Sequence, residues 1–476
     1  MKNRIMIWML GVTLGLASCS GWLTVEPKSI MEEEDMFSRE TGFKEALAGV
    51  YLQMASGTLY GRNLSYGFID ILGQCYQQKG SSGNYPYQEK GYYQFPSATT
   101  EGMTNSIWKS MYNVIANVNN LLYWTDRNKH VFATDGYYEI VKGEALALRA
   151  FLHFDLLRMY GPVYKENKNS YSIAYRTAFN RETKTMLPAT VVVDSIIHDL
   201  KAAEQILTGK DPLNFEFPVS VNDEMIMGGD VFLTYRHKRM NLYAVKGLLA
   251  RVYLYAENKA EAVKYAKEVV NSGYFDLVSD NSIDRVYSTE ILFSIYVDKL
   301  DEQVKSDFST RGGFYVSDPA FLSDHFSVAE DGANDIRYRE GTAFASDAYG
   351  KYSLKYDQSG AWVSIQNTIP LIRLSEMYYI LAECEEELDV SATYLSMVRS
   401  ARGLDAVSYT ANGKEEAITK EFRKEFYAEG QLFYYYKRLF KNTFLHGPVS
   451  PMNENNYRFS IPDDEVLFGD VPQGEN

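Results

Sequence analysis

Cysteine is nearly absent from this chain. Three stand among 476 residues, and beyond Cys19 there remain Cys75 and Cys384. Neither a disulfide framework nor a paired-cysteine metal motif can be written from them. One Cys75–Cys384 bridge stays open, while Cys384 otherwise reads as a small core residue of a helix. Histidine is scarce as well. His130, His153, His198, His237, His325 and His446 include no pair at the i+3 or i+4 spacing of a helical zinc site. No GxSxG turn occurs, Gly80-Ser81-Ser82-Gly83 has the wrong spacing, and no Gly-rich phosphate loop follows a strand. Asp331-Gly332-Ala333-Asn334-Asp335 lacks the alternating oxygen ligands of a calcium loop and reads as a turn. No metal, cofactor or catalytic residue is expected, so the chain is read as a non-enzyme; the paired carboxylates of a glycosidase would leave no local signature. His153, among Phe151, Phe154 and Leu157, reads as a core histidine, and Glu383 with Glu387 as a solvated helix face.

Positive charge is also in deficit. Lys and Arg number 48 against 62 Asp and Glu, a net charge of −14. Such a surface argues against nucleic acid as a partner and against broad attraction to anionic membranes. Beyond the N-terminus no stretch is long and apolar enough to cross a bilayer, which takes about 20 residues.

The N-terminus itself has a different character. Lys2 and Arg4 precede an almost wholly apolar run, Ile5 to Leu16, the size of a signal-peptide core. Leu16-Ala17-Ser18-Cys19 closes it and resembles a bacterial lipobox, in which the cysteine takes diacylglycerol; the competing reading is an ordinary signal peptide with a chance cysteine. The expectation is cleavage before Cys19, loss of Lys2 and Arg4 (which moves the net charge to −16), and a lipid anchor at Cys19. Several acyl chains, at about 0.8 kcal/mol per buried CH₂, make release from the membrane negligible.

The rest of the chain alternates helical patterns with irregular stretches. Helices are predicted over Thr41–Ala55, Ile107–Trp124, Tyr137–Tyr160 and Pro188–Leu207, the last with Thr190 as a possible cap. Met240–Ala256 and Lys259–Ser272 form a pair in which Leu249-Ala250, Tyr253 and Ala262 fit a tetratricopeptide pattern. Leu371–Leu388 with Ser391–Ala401 reads as a second, degenerate pair, and Thr419–Phe440 as the last long helix. Leu59–Thr104 is rich in Gly, Ser, Asn, Gln and Tyr without a sustained period, and Asp276–Pro370 reads as loop and short strand. Long loops in a compact domain are uncommon and often functional. The fold class is all-α: a tetratricopeptide-like helix-pair scaffold with long irregular loop insertions.

Several segments, in order, resemble the SusD/RagB family of nutrient-binding outer-membrane lipoproteins. Trp22-Leu23 with Pro27, then Phe37 and Ala48-Gly49-Val50-Tyr51, resemble its opening, and Trp108, Tyr112, Ile115 and Asn119 its second helix. The most specific match is Gly143-Glu144-Ala145-Leu146-Ala147-Leu148-Arg149-Ala150-Phe151, closing at Tyr160-Gly161-Pro162-Val163. Asn241, Ala244 and Leu249 to Leu254 follow, then Ile369 to Glu376, Arg402-Gly403-Leu404, Glu425 to Gly430, Lys437-Arg438 and Ile461-Pro462. The family often has Asp-Leu before the arginine of the late helix, where this chain has Tyr434-Tyr435-Tyr436-Lys437. Read from the residues, these motifs are structural, with Glu144, Arg149, Arg373 and Glu376 pairing between or within helices.

The resemblance implies residues 1–18 as signal peptide, 19–36 as lipidated tether and 37–476 as one SusD-like α-helical domain. It implies a lipid-anchored, cell-surface protein of the outer membrane that binds glycan and delivers it to a TonB-dependent barrel transporter. The alternative is a helical-repeat adaptor lipoprotein for peptide or protein, since such repeats commonly bind these; neighbouring genes would separate the two. Tyrosine is abundant, 38 against 25 phenylalanines. An aromatic face covers the C–H face of a sugar while amides take its hydroxyls, each ring adding on the order of 1 kcal/mol. On that ground the ligand-binding candidates are Tyr76, Gln77, Asn84, Tyr85, Tyr87, Tyr92 and Tyr93 in the first loop, with Tyr315 and Trp362 later. The competing reading is that these rings seal the loops onto the scaffold.

Overall fold

The principal helices run, in chain order, over Glu40–Met54 (α1), Glu101–Arg127 (α2), Tyr137–Tyr160 (α3), Ala189–Leu207 (α4), Leu242–Tyr255 (α5), Lys259–Val270 (α6), Leu374–Cys384 (α7), Leu388–Ala401 (α8), Lys414–Glu425 (α9) and Leu432–Leu439 (α10), with further helices of eight residues or fewer between, among them Leu300–Asp307 and Pro319–His325 in the stretch read as loop and short strand. Strands are Tyr171–Ile173 (β1), Leu187–Pro188 (β2), Ile291–Tyr296 (β3), Phe344–Ser346 (β4), Lys351–Ser353 (β5) and Thr368–Arg373 (β6). They pair antiparallel as β1–β2, β3–β6 and β4–β5. This is a computed structural model, and it describes residues 33–78, 89–95, 97–213, 231–309 and 311–470. The signal region and Cys19 lie outside the described residues.

Each helix from α1 to α8 packs on the next in sequence, so the fold is all-α, a row of tetratricopeptide-like helix pairs. The predicted α3 forms over the residues expected, apolar almost all round and buried against α2 on one side and α4 on the other. In the α5–α6 pair the small residues Ala250, Ala262 and Ala266 are fully buried, and Tyr253 lies parallel to Tyr265 with centroids 5.8 Å apart. Asn241 caps α5 by accepting from the Tyr243 and Ala244 N–H groups at 2.9 Å, while its amide donates to the Leu292 carbonyl at 2.7 Å. The cap therefore ties the helix start to β3. Gly247 lets α5 lie directly on the β3–β6 ribbon, where an added Cβ would come 2.7 Å from Leu292 Cδ2.

Charged pairs cross the seams. Arg149 of α3 grips Asp199 of α4 through Nε and Nη2 at 2.7 and 2.8 Å. Arg251 of α5 grips Glu376 of α7 through Nε and Nη2, both at 2.6 Å. Arg373 and Arg402, both fully buried, share Glu290 and Glu425, and Arg373 reaches Glu429 as well. The family-like motif residues thus pair between elements, not with one another along a helix. Cys75 and Cys384 are both buried and free, so no bridge joins them.

Four expectations are corrected. The segment predicted as a helix from Leu371 begins as strand β6, because Pro370 and the β-branched Ile369 and Ile372 favour extended chain, and every residue of Thr368–Arg373 is buried on both faces. An apolar run of that kind does not distinguish strand from helix by period. The helix predicted over Thr419–Phe440 is two helices, α9 and α10. Ala428 and Gly430 take left-handed φ of 61° and 69°, and a Cβ on Gly430 would strike the Leu64 carbonyl at 2.5 Å. The Gly430 N–H donates to Asp70 at 3.0 Å, fixing this break against the first loop. The described part of that loop is itself structured: successive turns run from Ser56 into a short helix over Phe68–Leu72. Thr190 does not cap α4, whose N-cap is Pro188 with no side-chain bond.

Candidate ligand-binding surface

The first-loop candidates divide by burial. Tyr76 is fully buried, donates to the Tyr66 carbonyl at 2.6 Å and stacks on Phe314 at 4.8 Å. Tyr93 is fully buried, donates to the Leu72 carbonyl at 2.5 Å and accepts from Gln74 Nε2 at 3.0 Å. Both rings fasten the loop to the core and present no face to a ligand. Gln77 is buried in a backbone seam. Its N–H donates to the Tyr315 carbonyl at 3.0 Å, its carbonyl accepts from Ser317 at 2.8 Å, and its side chain accepts from the Asp318 N–H at 3.0 Å. The two predicted loop regions do meet, but through main chain, with Tyr315 itself buried. Tyr92 is half-buried. Asn84, Tyr85 and Tyr87 lie outside the described residues. Trp362 is 43% exposed and begins the turn Val363–Ile365.

That turn borders a groove of about 820 Å³ lined by Leu52, Tyr235, Tyr296, Val363, Gln366 and Asn367, with Lys238 and Arg239 on its wall. Helix α1 supplies one side. Its inward stripe, Phe43, Leu47, Val50 and Met54, is buried, which leaves Ala48, Gly49 and Leu52 outward, Leu52 at 71% exposure. Strand β3 supplies Tyr296: five residues of Ile291–Tyr296 are buried and the last emerges at 48% exposure. Asn367, at φ 55°, turns its amide so that Nδ2 donates to Tyr296 Oη at 3.3 Å. The Lys238 ammonium stands 4.9 Å from the Tyr235 ring centre and 5.3 Å from that of Tyr296.

The groove floor is rigid. Tyr51 Oη donates to Glu144 at 2.6 Å and accepts from the Met240 N–H at 2.8 Å. Glu144 also receives Arg236 Nη1 at 2.6 Å and Arg239 Nε at 3.0 Å. Burial alone would raise the Glu144 carboxyl, but Arg239 and Arg236 hold it below the usual carboxylate range. Burial, followed by the Glu144 charge, pushes the Tyr51 hydroxyl well above its ordinary value, so it stays a hydrogen-bond donor.

The groove thus offers half-exposed rings beside amides on a fixed floor, an arrangement suited to C–H faces and hydroxyls. His153 is buried, donates to the Arg149 carbonyl at 2.8 Å, accepts from the Arg176 N–H at 2.9 Å, and is held neutral by burial at about 3. Glu383, read as solvated, is half-buried and gripped by Arg438 through two bonds of 2.6 Å. Among the described residues no group of three or more His, Cys, Asp or Glu could hold a metal ion, and no helix is long and apolar enough to cross a membrane. Sequence reasoning reached Trp362 and passed over Leu52, Tyr235 and Tyr296. The outward position of Leu52 on an otherwise regular stripe was a signal; for Tyr296 the strand period alone gave none.

Two family models match the chain: one described as starch-binding, associating with outer membrane, over residues 21–213, and the SusD family over residues 337–464. The chain belongs to the SusD/RagB family. A SusD-like protein of Formosa agariphila is 23% identical over 95% of each chain. Among solved structures, a SusD superfamily protein from Bacteroides thetaiotaomicron superposes with a TM-score of 0.68 at 20% identity, covering 92% of this chain and 100% of that one. A SusD-like carbohydrate binding protein from Bacteroides vulgatus gives 0.69 at 19%, covering 91% and 98%. A laminarin binding SusD-like protein gives 0.62 at 17%, covering 91% and 98%. At these identities the superpositions carry the fold. The family is carbohydrate-binding and associated with the outer membrane.

Proposed function

We propose that the chain is a cell-surface lipoprotein, anchored through Cys19, that captures an oligo- or polysaccharide and passes it to a TonB-dependent outer-membrane transporter. The observation that carries the sugar-binding reading is the groove: Tyr235 and Tyr296 beside the amides of Gln366 and Asn367, in a member of a carbohydrate-binding family. A structural neighbour named as laminarin-binding supports the same ligand class. Trp362 at the groove's border adds a further ring, and Tyr85 and Tyr87 of the first loop are proposed as ligand contacts on their residue type alone. The role is binding and delivery, not hydrolysis.

A glycan array on the purified mature protein tests the reading, followed by calorimetry of Tyr296→Ala and Trp362→Ala on the best hit. The expected result is weakened binding at unchanged melting temperature. An array without hits, together with capture of defined peptides, would favour the peptide-binding adaptor instead. For the anchor, Cys19→Ala should move the protein out of the membrane fraction and abolish labelling by fatty acid. For the transporter, mild detergent extraction should recover a barrel protein alongside this chain. Recovery of the monomer alone under several mild conditions counts against delivery.

A further inference from the structure

Two residues of the groove lining, Tyr235 and Asn367, hold left-handed backbone, at φ 52° and 55°. Side chains rarely adopt that region, bulky rings least of all, and asparagine is among the few that tolerate it. Such conformations persist only where the surroundings over-determine them, and they gather at ligand clamps. For Asn367 those surroundings are explicit. Its carbonyl accepts from the Val297 N–H at 2.8 Å, which continues the β3–β6 ladder past the Tyr296–Thr368 pair. Its side-chain Oδ1 accepts from the Leu300 N–H at 3.2 Å and from Gln358 Nε2 at 3.3 Å. Leu300 opens the helix Leu300–Asp307, which the first loop holds in turn. Arg62 grips Asp307 at 2.8 and 3.1 Å, and Gln303 donates to the Gly61 carbonyl at 2.8 Å.

These bonds fix which way the amide faces. A backbone N–H can only donate, so the atom turned to Leu300 is Oδ1 and the nitrogen faces Tyr296. An amide nitrogen donates and does not accept. The 3.3 Å contact between Asn367 Nδ2 and Tyr296 Oη therefore has one sense, with the tyrosine as acceptor. The Tyr296 hydroxyl keeps its own hydrogen, and among the described residues it makes no other hydrogen bond. The residue stands 48% exposed on the groove. An amide can make four hydrogen bonds, and Asn367 spends three of them inside the protein. It is thus built to hold Tyr296 more than to grip a ligand itself.

We propose that Asn367 is a positioning residue of the groove: by donating to Tyr296 Oη it leaves the hydroxyl hydrogen for an acceptor oxygen of the bound saccharide. Tyr296 then acts twice, its ring covering a C–H face and its hydroxyl donating to an oxygen at the edge of that face. The inference rests on the groove being the saccharide site.

Asn367→Asp separates this role from a structural one. Aspartate has nearly the same shape, tolerates left-handed backbone and still accepts from the Leu300 N–H, where a negative charge suits the helix start. It has no hydrogen to give, so Tyr296 turns to donate to the carboxylate and its hydrogen is lost to the ligand. Calorimetry uses the tightest-binding oligosaccharide of a glycan array, in salt high enough to screen the added charge. Melting temperature should hold or rise. The dissociation constant should weaken about fivefold, and by a similar factor in Tyr296→Phe, the scale of one hydrogen bond. The double variant should lose no more than either single one, since both remove the same bond. Should Asn367→Asp fail to fold, Tyr296→Phe on the exposed ring decides alone. Full affinity in Asn367→Asp, or additive losses in the double variant, overturns the inference. So does wild-type affinity in Tyr296→Phe beside a weakened Tyr296→Ala, which would leave the groove reading intact with the ring alone in use. Full affinity in Tyr296→Ala, or an array without hits, removes the groove reading and this inference with it.

Discussion

The helix row and the groove at its α1 edge use charge and aromatic rings in opposite ways. In the row, guanidinium and carboxylate groups are driven into the interior and matched there. Arg373, fully buried, spends Nε, Nη1 and Nη2 on Glu290, Glu425, Glu429, Ser375 and a backbone carbonyl. In the groove Tyr296 remains close to half exposed, as does Trp362 in the turn that borders it. A matched interior fixes geometry, and exposed rings leave contact area for something else. The same residue type serves both ends: Tyr76 and Tyr93 are structural, Tyr296 and Tyr235 are offered.

The strongest way to break this contrast is at the centre of the buried network. Arg373→Met removes the one cation that touches all three of Glu290, Glu425 and Glu429, leaving Glu290 and Glu425 to Arg402 and Glu429 to Lys355. Removing one member of a buried set typically costs about 3–5 kcal/mol. Denaturant unfolding should register a loss of that size, while the protein that remains folded keeps its glycan affinity. A loss below about 1 kcal/mol would show that hydrophobic packing alone holds the β6–α9 junction.

Acid attacks the same interior more gradually. Burial alone would raise the carboxyls of Glu425 and Asp331, but Arg402 and Arg373 hold Glu425 well below its ordinary value, and Arg399 and Lys424 hold Asp331 at about 2. Groups held down in this way contribute stability that is present above the unfolded carboxylate value and lost as pH falls through the folded one. For Asp331 that window runs from 3.8 down to about 2. His153 acts at higher pH. Burial holds it at about 3 against an ordinary 6.5, so between those values the unfolded chain takes a proton that the folded chain refuses. Stability should therefore decline as pH falls below 6.5, by about 1.4 kcal/mol per unit from this residue. His153→Gln should flatten that part of the profile, measured by denaturant midpoints from pH 7 to 4. An unchanged slope would place the titration on another group.

Tyr93→Phe sharpens the comparison within the first loop. It strips one donor from the Leu72 carbonyl and one acceptor from Gln74 Nε2, a loss on the order of 1 kcal/mol. Ligand binding should not change, because the ring has no exposed face. Weakened binding at unchanged stability would return Tyr93 to the ligand site.

The scaffold was legible in the sequence because its signals are local. The Ala-Leu stretch of α3 and the Leu249-Ala250, Tyr253, Ala262 spacing of α5–α6 each specify a helix face over a few turns. The β6 strand and the α9–α10 break were not legible, since both depend on partners far away. Strand β3 must be present before Thr368–Arg373 reads as extended, and Leu64 and Asp70 before Gly430 reads as a forced turn. Of the groove, only its border at Trp362 was legible. Leu52 and Tyr296 are exposed by their neighbours' arrangement, and an exposed ring in sequence looks the same as a buried one, as Tyr76 shows.

Trp362 is where that last distinction can be measured with least disturbance. Its side chain is 43% exposed and its backbone begins the Val363–Ile365 turn, so truncation removes ring surface without opening the core. Substitutions of this kind usually alter stability by less than about 0.5 kcal/mol. If the ring covers a sugar face, Trp362→Ala loses its share of contact, on the order of 1 kcal/mol, or roughly a fivefold weaker dissociation constant by calorimetry. Trp362→Phe should recover part of that loss, since a smaller ring still offers a flat face, and Trp362→Leu should recover little, although it restores apolar area. Equal affinities for Phe and Leu would mean that the position contributes burial and no stacking, and the groove would then be an apolar seat of the kind a peptide uses. Full affinity in all three variants would remove Trp362 from the site and leave Tyr296 and Tyr235 as the rings to test.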